Sequence, residues 1–288
     1  MATIMDGRKV SDSLLTEVKG RVDEMKASGI LPKLTVVVVG EDPASQVYVK
    51  MKENACKKTG ILSERISLPA EITQEELLKK VEELNNDASV NGFIVQVPLP
   101  AHIDTPKIMK AINPYKDVDG FTAYNVGKMV ISKEFEDLAP CTPLGIIKIL
   151  EFYGYDVAGK DVCVIGRSDI VGKPVASMLI NRDATVTVCH SRTKNLLKYT
   201  LEADLIIIAI GKPKFLKADM VKEGAVIVDV GINRMEDGSL TGDADYDDLF
   251  KKVAMITPVP GGIGPMTVAC LLLNTVRAAE KSRKKLNF

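Results

Sequence analysis

The fold of this chain is decided by the stretch Asp161-Val-Cys-Val-Ile-Gly166-Arg167-Ser168-Asp-Ile-Val-Gly172-Lys-Pro174. A short apolar run, typical of a buried strand, leads into a turn flanked by two glycines, and a helical pattern follows. In a parallel α/β sheet, such a turn presents backbone N–H groups and a positive helix end to a phosphate. Arg167 and Ser168 stand where a G-x-G-x-x-G loop has its second glycine. The loop alone therefore fits either a nucleotide site or a generic strand-to-helix turn.

The segment after the next apolar run favours the nucleotide site. That run, 184–189, ends in His190-Ser191-Arg192-Thr193. At the end of the second strand of a dinucleotide fold, a carboxylate binds the ribose of NAD, whereas cationic and hydroxyl groups suit the 2′-phosphate of NADP. Arg167 adds a further guanidinium, a group that binds phosphate bidentately. Arg192 by itself is compatible with a solvated surface residue, but the combination indicates NADP as the cofactor.

Length, charge and cysteine content exclude several classes of protein. The 288 residues are long enough for two domains, and 38 basic residues balance 38 acidic ones, which argues against a nucleic-acid binder. Five scattered cysteines without C-x-x-C spacing indicate a reduced, cytoplasmic protein without a zinc site, and only two histidines occur. No signal or transit segment is recognisable, and no apolar run is long enough to span a membrane.

Strand-like and helix-like patterns alternate from end to end, which predicts two α/β domains with parallel sheets, the C-terminal one Rossmann-like. The strands are expected at 34–39, 61–68, 92–97, 161–165, 185–189, 205–209, 225–230 and 253–256. The clearest helices are expected at 13–28, 45–59, 74–88, 144–153 and 265–284. We expect one domain to comprise residues 1–142 plus 266–288, and the other to comprise residues 143–265.

Three polar residues in the first half are candidates for chemistry. Tyr48 and Lys52 are four positions apart on a helix, so their side chains are neighbours. A lysine on a less polar face either snorkels or is functional, and burial would lower its pKa toward values useful for proton transfer. Gln96 ends a strand, where ligand crevices of open sheets lie, although it could also satisfy only loop backbone.

Two turns have open interpretations as well. Asp119, which precedes a glycine, is either a turn residue or a carboxylate that accepts two N–H bonds from a flat, guanidine-like ring edge. The segment 257–267, which includes Pro260, Gly261 and Gly262, is rich in glycine and proline. It either lets a flat ligand approach the backbone closely or merely reverses the chain.

Together these segments resemble the bifunctional methylenetetrahydrofolate dehydrogenase/methenyltetrahydrofolate cyclohydrolase family. The matching motifs occur in family order and span nearly the whole chain: Ser45-x-x-Tyr48-x-x-x-Lys52, Val95-Gln-Val-Pro-Leu-Pro100, Lys116-Asp-Val-Asp-Gly120, Gly166-Arg-Ser-x-x-Val-Gly172-x-Pro174, His190-Ser191 and Pro258-Val-Pro-Gly-Gly-Ile-Gly-Pro-Met-Thr267. Each motif is weak alone, but the set is specific. Thr122 departs from the commoner histidine and Arg192 from the commoner lysine, which affects only fine substrate and cofactor preference.

The resemblance implies a folate domain and an NADP domain separated by an active-site cleft, in a homodimer that needs no metal. Hydride would pass from 5,10-methylenetetrahydrofolate to NADP, and water would open the methenyl product to 10-formyltetrahydrofolate. Lys52 would assist water attack and proton transfer, Gln96 would position it, Tyr48 would orient the folate and Asp119 would hold the pterin. The implied dinucleotide contacts are Gly166, Arg167, Ser168, Ser191, Arg192 and Ile232, and Pro260, Gly261 and Gly262 would line the substrate site.

Three other functions remain compatible with parts of the sequence. A monofunctional dehydrogenase of the same family is the nearest, although retention of Tyr48, Lys52, Gln96 and Asp119 argues against it. A shikimate-type dehydrogenase shares the two-domain plan but does not explain the proline-rich segments at 95–100 and 258–267. A non-catalytic NADP sensor is expected to lack the lysine or the glutamine.

Overall fold

The computed structural model describes residues 1–286, without the side chains of residues 43, 44 and 283–286. Its strands are β1 Thr3–Ile4, β2 Lys33–Val39, β3 Leu62–Leu68, β4 Gly92–Val95, β5 Asp161–Ile165, β6 Thr185–Cys189, β7 Leu205–Ile208, β8 Val226–Asp229, β9 Asn233–Arg234, β10 Leu240–Thr241 and β11 Met255–Ile256. Its α-helices are α1 Gly7–Ala27, α2 Pro43–Thr59, α3 Gln74–Asn86, α4 Thr105–Ala111, α5 Ala123–Ile131, α6 Cys141–Phe152, α7 Gly172–Ile180, α8 Leu197–Thr200, α9 Tyr246–Leu249 and α10 Ile263–Leu286.

One compact unit contains residues 1–11, 129–133 and 142–267. Its six strands form a sheet in the order β1-β11-β8-β7-β5-β6, and every adjacent pair is parallel. The central strands β7 and β8 are buried along their whole length, as expected when helices cover both faces of a parallel sheet. The loops that follow β5, β6, β7 and β8 therefore lie at one edge of the sheet.

The second compact unit contains residues 12–128, 134–141 and the chain from residue 268 onward. Its sheet has the order β3-β2-β4 and is parallel throughout. The apolar side of this sheet packs on buried residues of α3 and α4, including Leu77, Val81 and Ile108. Because β2 and β4 are adjacent and parallel, the residue after β4 emerges at the carboxyl edge beside the chain that leads into α2.

Local signals in the sequence fix the helix that carries Tyr48 and Lys52. The side chain of Asp42 accepts the Ser45 amide at 2.8 Å and caps the start of α2. Gly60, with a φ of 78°, ends the helix, and its amide donates to the Cys56 carbonyl at 2.8 Å. The capping box at Thr73 and Glu76 of α3 is also present.

The predicted α/β fold with parallel sheets is confirmed, and β5 and β6 have the expected bounds. β4 ends at Val95, so Gln96 lies just beyond the strand instead of within it. Residues 1–11 and 129–133 group with the six-stranded sheet, whereas we expected them in the first domain. β1 of the first segment pairs with β11, and the Met129 carbonyl of the second accepts a hydrogen bond of 2.7 Å from Asn181 Nδ2. Among the described residues, no helix has both the length and the apolar character needed to cross a membrane.

Candidate functional site

Lys52 and Gln96 meet at the carboxyl edge of the three-stranded sheet. The Lys52 Nζ donates a hydrogen bond of 2.8 Å to Oε1 of Gln96. The amide nitrogen of the same glutamine donates to the Val97 carbonyl at 2.7 Å, and its backbone N–H donates to the Val37 carbonyl at 2.8 Å. The glutamine is thus held at both ends, and its side-chain oxygen is directed at the lysine.

The surroundings of Lys52 lower its pKa. Burial lowers the pKa of Lys52, and the negative charge of Asp119 opposes that shift. Burial likewise raises the pKa of Asp119, and the positive charge of Lys52 opposes it. Burial outweighs the mutual attraction for both groups, so each is moved toward its uncharged form.

The Asp119 turn is built by its neighbour Asp117. The carboxylate of Asp117 accepts N–H bonds from Gly120 at 2.9 Å, Phe121 at 3.2 Å and Thr122 at 2.7 Å. Gly120 has a φ of 80°, and a Cβ there would lie 2.5 Å from the Pro140 nitrogen. Asp117 takes these turn amides, whereas the Asp119 carboxylate has a side-chain hydrogen bond with Cys141.

Tyr48 lies one helical turn before Lys52 on α2 and is 36% exposed. The ring of Tyr48 is accessible to a flat ligand, and its hydroxyl makes no hydrogen bond with any residue that the structure describes. The structure therefore brings Lys52, Gln96 and Asp119 into one electrostatically coupled cluster within one unit, with Tyr48 on the same helix as the lysine.

The loop after β5 packs too closely for side chains at its two glycines. Gly166 has a φ of 125°, and a Cβ there would lie 2.4 Å from the Ala209 carbonyl oxygen. A Cβ on Gly172 would lie 2.2 Å from the Gly166 carbonyl oxygen. Ser168 Oγ accepts the Val171 amide at 3.2 Å, and Arg167 is exposed. The strand end, the glycines and the first turn of α7 form an arrangement that suits a phosphate.

The turn after β6 presents a hydroxyl and a guanidinium to solvent. The His190 backbone N–H donates to Thr193 Oγ1 at 2.9 Å, and the Arg192 N–H donates to Nδ1 of His190 at 3.2 Å. These bonds close the turn and leave the side chains of Ser191 and Arg192 exposed. No acidic residue occurs between 189 and 195. This chemistry fits the extra phosphate of NADP better than the free ribose hydroxyl of NAD.

The remaining candidate residues also belong to the six-stranded unit. Ile232 follows β8 and is 47% exposed. The Gly7 amide donates to the Gly261 carbonyl at 2.9 Å, and a Cβ on Gly262 would lie 2.6 Å from the Pro258 carbonyl oxygen. Pro260 is exposed, and its bond to Val259 is cis. Among the described residues, no group of three or more His, Cys, Asp or Glu side chains is arranged to hold a metal ion.

Two family models together account for nearly the whole chain. The catalytic domain of tetrahydrofolate dehydrogenase/cyclohydrolase matches residues 5–119, and the NAD(P)-binding domain of the same enzymes matches residues 140–283. The chain belongs to the tetrahydrofolate dehydrogenase/cyclohydrolase family.

Individual family members agree with this assignment. The Bifunctional protein FolD of Nautilia profundicola is 51% identical, and the alignment covers 99% of each chain. The crystal structure of the bifunctional FolD methylenetetrahydrofolate dehydrogenase/cyclohydrolase from Campylobacter jejuni has a TM-score of 0.94 at 49% identity, covering 98% of this chain and 99% of that chain. The Trypanosoma brucei enzyme, solved with NADP cofactor and an inhibitor, has a TM-score of 0.93 at 36% identity, covering 98% and 99%.

Sequence reasoning missed two residues beside the lysine cluster of this family member. Cys141 is buried, its Sγ donates to the Val118 carbonyl at 3.3 Å, and burial followed by the charge of Asp119 raises its pKa. Asn274 donates to the carbonyls of Val118 at 3.0 Å and Ala139 at 2.8 Å. The signal for Cys141 was its position in a proline-flanked turn. No signal in the sequence indicated Asn274, because the carbonyls to which it donates are more than 130 positions away.

Proposed function

We propose that this enzyme oxidises 5,10-methylenetetrahydrofolate with NADP and then hydrolyses the 5,10-methenyl product to 10-formyltetrahydrofolate. Family membership and the bifunctional relatives support the two activities. The observation that carries the proposal is the Lys52–Gln96 hydrogen bond in a cluster where burial lowers the pKa of the lysine. A monofunctional dehydrogenase has no need of a buried amine held in this way.

Lys52 performs the hydrolytic half of the reaction. The neutral amine takes a proton from the water that attacks the methenyl carbon, and it returns this proton to the ring nitrogen when the C–N bond breaks. The hydroxyl proton of the intermediate is released to solvent as the formyl C=O bond forms, so one proton is released for each methenyl cation hydrolysed. The methenyl substrate is a cation, so its charge disfavours a protonated lysine nearby and adds to the effect of burial. Gln96 fixes the position of the amine throughout by accepting one of its N–H bonds.

Tyr48 and Asp119 hold the folate. The exposed ring of Tyr48 provides a surface on which a flat ring system stacks. Asp119 accepts N–H bonds from the guanidine-like edge of the pterin, because its neighbour Asp117 already satisfies the turn amides. On this proposal residues 12–128 supply most of the folate domain, and Pro260, Gly261 and Gly262 are further substrate-binding residues.

NADP supplies the acceptor for the hydride that leaves the methylene carbon. Gly166, Arg167 and Ser168 hold its pyrophosphate side, Ser191 and Arg192 hold the 2′-phosphate, and Ile232 contacts the dinucleotide after β8. The NADP bound to the Trypanosoma brucei relative and the family's NAD(P)-binding domain support this choice of cofactor. The missing acid after β6 supports NADP over NAD.

Two direct assays test the proposed function. Purified protein is given 5,10-methylenetetrahydrofolate with NADP or with NAD, and NADPH or NADH formation is followed. Separately it is given 5,10-methenyltetrahydrofolate without nucleotide, and loss of the methenyl absorbance is followed above the spontaneous rate. We expect both activities and a preference for NADP. Reduction of NADP without accelerated hydrolysis would show a monofunctional dehydrogenase.

We further propose a cytoplasmic homodimer. All five cysteines are buried and form no disulfide, which suits a reducing compartment. β6 is an edge strand of the six-stranded sheet, and Ile180 on the preceding helix is 58% exposed, so this side of the unit is suited to a second copy. Light scattering on a sizing column distinguishes a dimer from a monomer.

A further inference from the structure

The side chain of Asp243 binds the backbone of the loop that follows β7. This residue is fully buried, and its carboxylate accepts three consecutive backbone N–H bonds: from Ile210 at 2.6 Å, Gly211 at 2.9 Å and Lys212 at 2.8 Å. Three successive amides that converge on one carboxylate form an anion-binding concavity of the backbone. Here the protein's own side chain fills it, so these three amides are already hydrogen-bonded within the protein.

The same carboxylate is bound to the segment that follows β8. Asn233 Nδ2 donates to Asp243 Oδ1 at 2.9 Å. A Cβ on Gly231 would lie 2.3 Å from Cγ of Asp243, so the backbone passes directly against the carboxylate. Ile232 lies between these two residues and keeps its side chain exposed. Its position is therefore set by contacts with Asp243 on both sides.

A second buried carboxylate supports the first. Asp229, at the end of β8, accepts N–H bonds from Gly231 at 2.9 Å, Asp243 at 3.0 Å and Ala244 at 2.8 Å. A Cβ on Gly242 would lie 1.8 Å from Asp229 Oδ2. Asp229 thus binds the backbone of Asp243. Together the two carboxylates connect the segments 210–212, 231–233 and 242–244 to the end of β8.

The loops 210–212 and 231–233 follow β7 and β8, so they lie at the carboxyl edge of the six-stranded sheet. β7 and β8 are adjacent and parallel, and open α/β sheets bind ligands outside the carboxyl ends of their strands. We propose that Asp243 is a positioning residue for NADP: it acts through the loops 210–212 and 231–233 and does not touch the substrate. The proposal rests on the proposed function, because it assumes that this edge holds the nucleotide.

Asp243→Asn tests the proposal with little change in size. An asparagine can accept with only one atom, and its NH₂ group faces backbone N–H groups that need an acceptor. We expect the KM for NADP and the Kd for NADP to rise at least about tenfold. Hydrolysis of methenyltetrahydrofolate without nucleotide should keep the wild-type kcat and KM, because that substrate is already oxidised.

Asp204→Asn is the matched control. Asp204 is a partly buried carboxylate of the same unit that accepts the Asp161 amide at 3.0 Å and binds Lys222, but it precedes β7 and so lies at the opposite edge of the sheet. The control should lose stability without losing NADP affinity. An Asp243→Asn protein with wild-type NADP affinity would overturn the proposal, and so would a variant whose two activities fall in parallel.

Asn233→Ala provides a second variant should Asp243→Asn fail to fold. It removes the 2.9 Å hydrogen bond between Asn233 and Asp243 together with a longer one, of 3.5 Å, from Asn233 to the Thr241 carbonyl. We expect a raised KM for NADP with an unchanged melting temperature and unchanged hydrolysis. An unchanged KM for NADP in a folded Asn233→Ala protein would contradict the proposed role of the hydrogen bond between Asn233 and Asp243. The assays of both activities on the wild-type protein test the proposed function separately. Failure of the proposed function can therefore be distinguished from failure of the proposed role of Asp243.

Discussion

The side-chain oxygen of Gln96 lies 2.8 Å from the Lys52 amine, and the Val97 carbonyl holds the other end of the same amide. The glutamine is neutral, so it orients the lysine without adding a charge that would keep the amine protonated. Because burial lowers the pKa of Lys52, a neutral partner preserves that shift. In the proposed mechanism, an amide instead of a carboxylate at position 96 therefore keeps the pKa of the lysine low.

Gln96→Glu should move the pH profile of hydrolysis. A carboxylate beside the amine stabilises the ammonium form and raises the pKa of Lys52. A base works only above its pKa, so the acidic limb of the kcat profile should shift to higher pH, and hydrolysis at neutral pH should fall. The measurement is kcat for methenyltetrahydrofolate hydrolysis as a function of pH.

Gln96→Met is the control for this shift. It removes the hydrogen bond at similar size without adding charge, so it should lower kcat without moving the limb to higher pH. A Gln96→Glu profile with the wild-type midpoint would show that Lys52 does not act as the base.

Arg192→Ala should weaken NADP binding selectively. The guanidinium is exposed on the turn after β6 and forms charge-assisted hydrogen bonds with the 2′-phosphate in our proposal. We expect the KM for NADP to rise about tenfold and the KM for NAD to stay unchanged, since NAD lacks that phosphate.

The exposed Lys194 of the same segment offers a matched control, because Lys194→Ala removes an equal charge from a position with no proposed contact. If Arg192→Ala kept the wild-type preference for NADP, or if Lys194→Ala lost it equally, the assigned role of Arg192 would be wrong.

Gly120→Ala should destabilise the protein and impair the folate site. Its φ of 80° is unfavourable for alanine, and the added Cβ would meet the Pro140 nitrogen at 2.5 Å. We expect a loss of more than about 1 kcal/mol in the free energy of unfolding, together with a higher KM for the folate, because the Asp119 turn must move.

Gly127→Ala is the opposite case within the same chain. Gly127 lies inside α5, where a new Cβ meets nothing within 4 Å, so alanine should stabilise by about 0.5–1 kcal/mol. Chemical denaturation measures both values. Equal stability of the two variants would contradict the geometry of the Asp119 turn.

Local patterns were sufficient to predict the strands that present the dinucleotide loops. The bounds of β5 agree because a continuous apolar run bounded by turn residues is typical of a buried parallel strand. Those of β6, an edge strand, agree because its Thr-Val-Thr-Val residues are β-branched and favour a strand. β1 was missed because two residues carry no periodicity, and it exists only through pairing with β11, some 250 positions away. Such pairing has no local signal.

The residues that carry the chemistry of the candidate site were predictable from the sequence, but the residues that position them through hydrogen bonds were not. The helical spacing of Tyr48 and Lys52 was visible in sequence, as was the place of Gln96 near a strand end. Which of Asp117 and Asp119 builds the turn was not, since both precede the same glycine and only the hydrogen bonds distinguish them. Asp243 was passed over for the same reason, because its amide partners come from a loop 31 to 33 positions earlier.

The central claim is that Lys52 acts as a neutral amine, and Lys52→Arg tests it most directly, because an arginine stays protonated at every accessible pH. Lys50→Arg, an exposed position on the same helix, is the control and should behave as wild type. The measurement is kcat for methenyltetrahydrofolate hydrolysis across pH for all three proteins. The account predicts a fall of at least about 100-fold in Lys52→Arg and loss of the pH-dependent limb. A Lys52→Arg enzyme that hydrolyses at the wild-type rate with the same limb would contradict it.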